Sequence, residues 1–259
     1  MEIEAYLRKD YVSNLVKNGK RIDGRKFDEY RGIEIVKDYI SEKACGSALV
    51  NLGDTKILVG ISMDTGEPYP DKPDEGAMTV SAEFRPIASP SFESGPPGED
   101  AIEVARVVDR GIRESGAIDT KRLFIEDGKV WIVFIDIHIL DNEGNIIDAS
   151  GIAAITALLN TKIPKYEDRN IIRGEWAGRL PVTCIPVPCT VAKIGNEILL
   201  DPNLDEEYAM DSRLTVTTTD TINAMQKGGR GTLSEKEIYD AIDLSFEKAG
   251  DIRRLIENL

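Results

Sequence analysis

The period of the apolar positions changes several times along the chain, and each change marks an element. Over residues 3–16, Ile3, Leu7, Leu15 and Val16 recur at near-helical spacing beside Tyr6, Tyr11 and Val12, predicting a lead helix that ends before Asn18-Gly19. A basic link follows, KRIDGRK, carrying Lys20, Arg21, Arg25 and Lys26. The period then drops to two. Residues 33–38, 44–52 and 55–62 read as strands, with Gly53-Asp54 as the tight turn between the second and third. A Pro/Gly/acid stretch at 64–77 is too polar and too broken to pack, residues 78–85 form another strand, and RPIASPSFESGPPGED is a second loop.

The helical period returns at residues 98–116, GEDAIEVARVVDRGIRESG, where it sorts two chemistries. At about 100° per residue, Arg106, Arg110 and Arg113 fall within about 60° of one another, while Val104, Ala105, Val107, Val108, Gly111 and Ile112 take the other side. Glu99 and Asp100 sit at the start, where the macrodipole favours acids. The arginine face has two readings. It presents cations to a partner, or it makes the helical ion pairs Glu103–Arg106, Asp109–Arg113 and Arg110–Glu114, each worth about 0.2–0.5 kcal/mol.

The second half repeats this grammar. Residues 121–126 and 129–141 predict a hairpin around Asp127-Gly128, Asn142 to Asn145 a turn, and ASGIAAITALLNT a small apolar helix of the kind buried between sheets. Strands follow at 182–194 and 197–201 around Gly195-Asn196, then one at 213–219. A final amphipathic helix spans 234–257, with Ile238, Ile242, Leu244, Ala249, Ile252 and Leu255 on its apolar side. LGDTKILVGI echoes IGNEILLDP, each a turn followed by an apolar strand. The pattern predicts an α+β fold: a duplicated unit with two mixed β-sheets and helices packed between and over them. Residues 1–26 form the lead helix and basic link, 27–181 the first part with the central helices, and 182–259 the second part with the last helix, all packed as one domain.

A chain of 259 residues with 41% hydrophobic and 30% charged residues can bury a sizeable core. No apolar run approaches the ~18 residues of a membrane span, and the N-terminus lacks the apolar core and small-residue cleavage site of a signal peptide. Cys45, Cys184 and Cys189 are odd in number, lie in strand-like runs and show no metal spacing, so buried free thiols in a reducing cytoplasm are expected. The net charge of −14 argues against wholesale coating of nucleic acid. With a Debye length of about 8 Å it leaves room for a local cationic face. The one histidine, His138, falls in the alternating run VWIVFIDIHIL and reads as a strand residue rather than a catalytic base. Trp131 and Trp176 show no repeated stacking pattern and are expected to pack in the core or at an interface.

RIDGR, GDTKILVGIS, IEVARVVDRGIRES, VFIDIHILDNEGNIIDAS and ILLDPNLDEEYAMDSRLTV occur in register along the chain. Together they resemble the ribonuclease PH fold family (ribosomal protein S5 domain 2-like), and within it the non-catalytic subunits of the archaeal exosome ring. The resemblance implies a setting of 3′-end phosphorolysis of RNA, in which inorganic phosphate attacks the terminal phosphodiester and releases a nucleoside diphosphate. Active members carry an Arg-Arg pair before the long helix, where this chain has Gly98, Glu99 and Asp100. They carry a Gly-Thr/Ser-Arg phosphate loop entering the small apolar helix, where this chain has Asp148-Ala149-Ser150-Gly151 with no Arg. Asp148 is expected to compete with an anion at that helix N-terminus. The family's catalytic Asp pair matches Asp211 and, at altered spacing, Glu206 or Glu207, within an acidic group completed by Asp205 that reads as a solvated loop.

These departures imply no catalytic residue and no metal or cofactor site in this chain. Phosphate and Mg²⁺ are expected at the active site of a catalytic ribonuclease PH-like paralogue. The two would alternate in a hexameric ring that carries RNA-binding S1/KH cap subunits, with no membrane involvement. Set beside the missing phosphate loop, Arg106, Arg110 and Arg113 become the candidate contacts for single-stranded RNA, because a guanidinium grips phosphate bidentately and stays charged. The alternatives are a phosphorolytic exoribonuclease active on its own, a metal-dependent nuclease using the acidic group, and a scaffold whose arginines serve only ion pairs. KRIDGRK is expected to be a solvated connector that pairs with acidic neighbours, and the acidic loops at 64–77 and GPPGED are expected to lie off the RNA path or on its rim.

Overall fold

The structure is a computed structural model that describes residues 2–259, with side chains from Arg8 onward. In chain order the elements are α1 (Glu2–Lys17), β1 (Ile33–Lys37), β2 (Gly46–Leu52), β3 (Thr55–Gly66), β4 (Ala77–Phe84), α2 (Glu99–Glu114), β5 (Phe124–Glu126) and β6 (Lys129–Asp141). They continue with α3 (Ile146–Asn160), β7 (Lys162–Glu167), β8 (Asn170–Arg179), β9 (Val187–Ile194), β10 (Glu197–Leu200), α4 (Leu204–Ala209), β11 (Ser212–Thr218), β12 (Ile222–Gly229) and α5 (Glu235–Glu257). The first sheet runs β1-β2-β3-β6-β4 with β5 added to β6, the second runs β10-β9-β11-β12, and β7 and β8 make a separate ribbon. β4 pairs β6 in parallel, and every pairing in the second sheet is antiparallel, so strand directions mix only in the first.

Alternation along β2, β3 and β6 buries every second side chain, with Val50, Ile57, Val59, Ile61, Ile135, Ile137 and Ile139 at the centre. α3 lies between the sheets, touching β2 and β3 on one side and β9 on the other. Its residues Ile147 to Leu158 are all buried, which is why this segment is apolar all round rather than striped. Close packing depends on Gly151, where a Cβ would come within 2.4 Å of the Pro188 ring in β9. α3 begins three residues before the expected ASGIAAITALLNT helix, and that places Asp148 inside its first turn.

α1 packs Val12 and Val16 against Ile194, Leu199 and Ala209 of the second sheet and α4, while the expected contributors Ile3, Tyr6 and Leu7 lie outside the described side chains. Four elements lie where the pattern gave no element or a loop: β7, β8, α4 and β12. α5 starts on a reciprocal capping box between Ser234 and Glu237 and covers β9 and β11. No helix among the described residues is long and apolar enough to cross a membrane.

Candidate nucleic-acid interface and the adjoining acidic cleft

α2 has a stripe of buried residues, Ala101, Val104, Val107, Val108, Gly111 and Ile112, and it lies on β4, α3 and β12. The opposite side carries the three arginines in three different states. Arg106 is exposed and makes no hydrogen bond or ion pair among the described residues. Arg110 is half-buried and reaches Gln226 Oε1 at 3.4 Å. Arg113 forks onto Asp109 at 2.6 and 3.1 Å and donates to the Met78 carbonyl at 3.1 Å. The hydrogen bonds to Asp109 hold the Arg113 guanidinium above its ordinary pKa.

Of the three helical ion pairs expected from spacing, only Asp109–Arg113 forms. Glu103 turns away from Arg106 to take Arg213 of β11 at 2.5 Å, and it also accepts from Gln226 Nε2 at 3.4 Å. A strand-anchored arginine, shielded on one side, is a better partner than a solvent-facing one on the same helix. That diversion leaves Arg106 uncommitted.

Beyond the N-terminal end of α2 lies a cleft of about 230 Å³, lined by Asp100, Glu103, Asn142, Asn145, Glu207 and Arg213 among others. Glu207 accepts a hydrogen bond from the Asn145 backbone N–H at 2.9 Å, and burial pushes its carboxyl up to about 7 against that bond. The cleft therefore presents carboxylates, and the single arginine in its lining is paired with Glu103.

Asp148 does not face this cleft as a competitor for anions, which corrects the sequence expectation. It is fully buried and accepts from Tyr30 Oη at 2.7 Å, Asn145 Nδ2 at 2.8 Å, and Thr190 N–H and Oγ1 at 2.8 and 2.7 Å. Burial pushes its carboxyl up to about 6, although all four donors favour the charged form. The early start of α3 turns this side chain inward.

The acidic group after β10 is also dispersed. It is not a solvated loop but the short helix α4, started by a capping box between Asn203 and Glu206. Asp205 pairs with Arg8, Glu206 is buried against Arg21, Glu207 caps the turn at Asn145, and Asp211 accepts from the Gly195 N–H. Among the described residues no three His, Cys, Asp or Glu side chains converge as metal ligands. These four carboxylates do not fit a metal.

KRIDGRK pairs with acidic neighbours as expected, but Arg21 is buried and the segment is a clamp rather than a solvated connector. Arg21 forks onto Glu206 at 2.8 and 2.6 Å, while Arg31 forks onto Asp201 at 2.9 and 2.7 Å. Arg25 joins Asp201 at 2.9 Å, and Asn145 Nδ2 adds a bond at 2.8 Å. Burial disfavours the Asp201 carboxylate, but Arg31 and Asn145 outweigh it and hold its pKa below the ordinary carboxylate range. The sequence pattern gave no sign that Arg31, Asp201 and Asn145 join in one buried network. The available signals were the Asn-x-x-Glu spacing of a capping box at 203–206 and the density of arginines ahead of β1.

His138 sits on β6 opposite Glu83 of β4, 3.8 Å from its carboxylate and 3.4 Å from Arg85, in a strand position as expected. The three cysteines are free thiols as expected, but only Cys189 is buried, while Cys45 and Cys184 are partly exposed. Trp131 is 6% exposed and packs edge-on against Tyr166, whereas Trp176 is 40% exposed.

The geometry can be set beside known proteins. Residues 29–164 match the model of the 3′ exoribonuclease family, domain 1, and residues 184–248 match domain 2 of the same family. The chain is 54% identical to the exosome complex component Rrp42 of Thermococcus gammatolerans, over 99% of this chain and 96% of that protein. It is 50% identical to the protein of the same name from Archaeoglobus fulgidus, over 98% and 97%. Among solved structures, a chain of the Archaeoglobus fulgidus exosome with RNA bound to the active site superimposes with a TM-score of 0.91 at 50% identity, covering 97% of this chain and 98% of that one. A chain of an archaeal exosome core gives 0.88 at 46% identity, covering 98% of both.

Proposed function

The chain belongs to the 3′ exoribonuclease family, and from that premise we propose that it is the non-catalytic subunit of a 3′→5′ phosphorolytic exoribonuclease ring of exosome type. In this reading it alternates with a catalytic ribonuclease PH-like paralogue under S1/KH cap subunits in the cytoplasm. It binds single-stranded RNA through α2 and structures its neighbour's active site. Phosphate and Mg²⁺ act on the neighbour.

The observation that carries the reading is the polarity of the two ends of one helix. At the N-terminal end, where an attacking phosphate would have to sit, the cleft presents Asp100, Glu103 and Glu207, with Arg213 already neutralised. Transition-state stabilisation in phosphoryl chemistry needs preorganised cations at that place. Farther along, Arg106 is exposed and unpaired, and Arg110 has only a long hydrogen bond to lose. One end repels phosphate and the other offers it a grip.

The test has two parts. The purified chain with 3′-tailed RNA, phosphate and Mg²⁺ should release no nucleoside diphosphate, and release would overturn the non-catalytic assignment. In the reconstituted ring, replacing Arg106, Arg110 and Arg113 by Ala should weaken RNA binding and flatten the log K against log salt slope by about 2, at ~0.7 per phosphate contact. Unchanged affinity and slope would leave the arginines as ion-pair residues of a scaffold.

A further inference from the structure

The β7–β8 ribbon is exposed along nearly all of β8 and carries Lys162, Lys165, Arg169, Arg173 and Arg179 against Glu167, Asp168 and Glu175. It is thus a cationic element in a chain of net charge −14. Two of its acids are taken by one lysine, since Lys165 holds Glu167 at 2.8 Å and Glu175 at 3.4 Å. The remaining cations are left to one another. Lys162 and Arg179 stand directly opposite in the ladder, an arrangement that destabilises a sheet. Neither Arg173 nor Arg179 makes a hydrogen bond or ion pair among the described residues.

Trp176 pairs with Pro164, one step along the same face, and its ring lies 5.8 Å from Lys162 Nζ. A large indole, 40% exposed, therefore lies beside the Lys162 ammonium on a ribbon whose Arg173 and Arg179 the chain does not pair. Extended ribbons offering an aromatic ring between cations suit single-stranded nucleic acid, whose bases stack while its phosphates meet the charges. An acidic peptide would meet the cations as well, but the indole's flat face next to a cation matches the regular alternation of base and phosphate along a single strand. The ribbon leaves the C-terminal end of α3, and the acidic cleft lies at the N-terminal end of that 15-residue helix. At 1.5 Å per residue the two are separated by about 20 Å.

We infer that the β7–β8 ribbon is a second contact for single-stranded RNA, in which Trp176 stacks on a base and Lys162, Arg173 and Arg179 hold the flanking phosphates. The inference rests on the reading that the complex binds RNA, but on none of the α2 residues.

Titration of the reconstituted ring with a 3′-tailed oligoadenylate tests it through tryptophan emission. The signal is the difference between the wild-type ring and one carrying Trp176→Phe. Wild-type emission falls as RNA binds, by an amount the Trp176→Phe ring lacks. Trp176→Ala weakens binding about five-fold or more, the loss expected for one stacked base. Lys162→Ala with Arg179→Ala flattens the salt slope by about 1.4, and a thermal melt checks that removing the opposed cations leaves the fold intact. RNA that binds the wild-type ring without changing Trp176 emission, or with an unchanged slope in the double variant, overturns the inference while the α2 reading stands. An emission change produced by an added partner subunit and not by RNA overturns it in favour of a protein docking face. Failure of the wild-type ring to bind RNA at all would remove both readings together.

Discussion

Replacing Arg21 by Ala should be among the most damaging single changes in this chain, although the residue lies outside the sheets and helices. Its side chain and that of Glu206 are both 0% exposed. It donates six hydrogen bonds, two to Glu206 and four to the carbonyls of Lys26, Glu29, Leu200 and Asp201. After truncation Glu206 keeps only the Asn203 N–H at 3.0 Å, so a buried carboxylate is left without a counter-charge. Breaking one side of a buried ion pair costs about 3–5 kcal/mol. At about 2–4 °C per kcal/mol for a chain of this size, the melting temperature should fall by roughly 6–20 °C. Urea denaturation of the full chain, followed by far-ultraviolet circular dichroism with the m-value checked, measures this. A loss below about 1 kcal/mol at constant m would refute the claim that this pair locks the link onto α4. Arg21→Met combined with Glu206→Leu should recover part of the loss, because both buried charges leave together while the carbonyls and the Asn203 N–H that the pair served lose a partner.

Three further outcomes follow from the geometry. In the ring, Arg106→Ala should reduce RNA affinity more than Arg113→Ala, since Arg113 already bonds Asp109 and the Met78 carbonyl while Arg106 has nothing to exchange. Fluorescence anisotropy with both variants decides the order, and the reverse ranking would contradict it. Gly144→Ala should destabilise by roughly 3 kcal/mol or more, because φ is +87° and a Cβ would lie 2.5 Å from the Asn203–Leu204 peptide; a melt unchanged within a degree would argue against it. Asp148 titrates near 6 in the folded chain against an ordinary 3.8, so between those values the native state holds the extra proton. Its contribution to stability therefore falls as pH rises from about 4 to about 6. The wild-type minus Asp148→Asn stability difference should decline across that window by roughly 2 kcal/mol, and a flat difference would refute the shift.

Elements with a regular burial pattern were readable from the sequence. β2, β3 and β6 alternate cleanly, and α2 has one apolar stripe, because each meets the core on one side. β8 was not readable: it stands exposed, and its ladder with β7 shifts register on both sides of Pro164, so no period of two survives. α4 is six residues long, too short for a helical period, and only its capping box announces it. The clamp was hidden for a different reason. Arg21 and Glu206 are 185 residues apart, and nothing local distinguishes a buried arginine from a solvated one. The same limit applied to α2, where Glu103 left its helical neighbour for Arg213, 110 residues away.

α3 belongs by sequence to the first half of the chain, yet it is buried against both sheets. The duplicated halves therefore own their strands separately and share one interior. A piece containing only β9 to α5 would expose the face of β9 that α3 covers. The first half alone would expose the far side of α3. Neither half is therefore expected to fold as an independent module, and amide exchange in both sheets should report the same global opening.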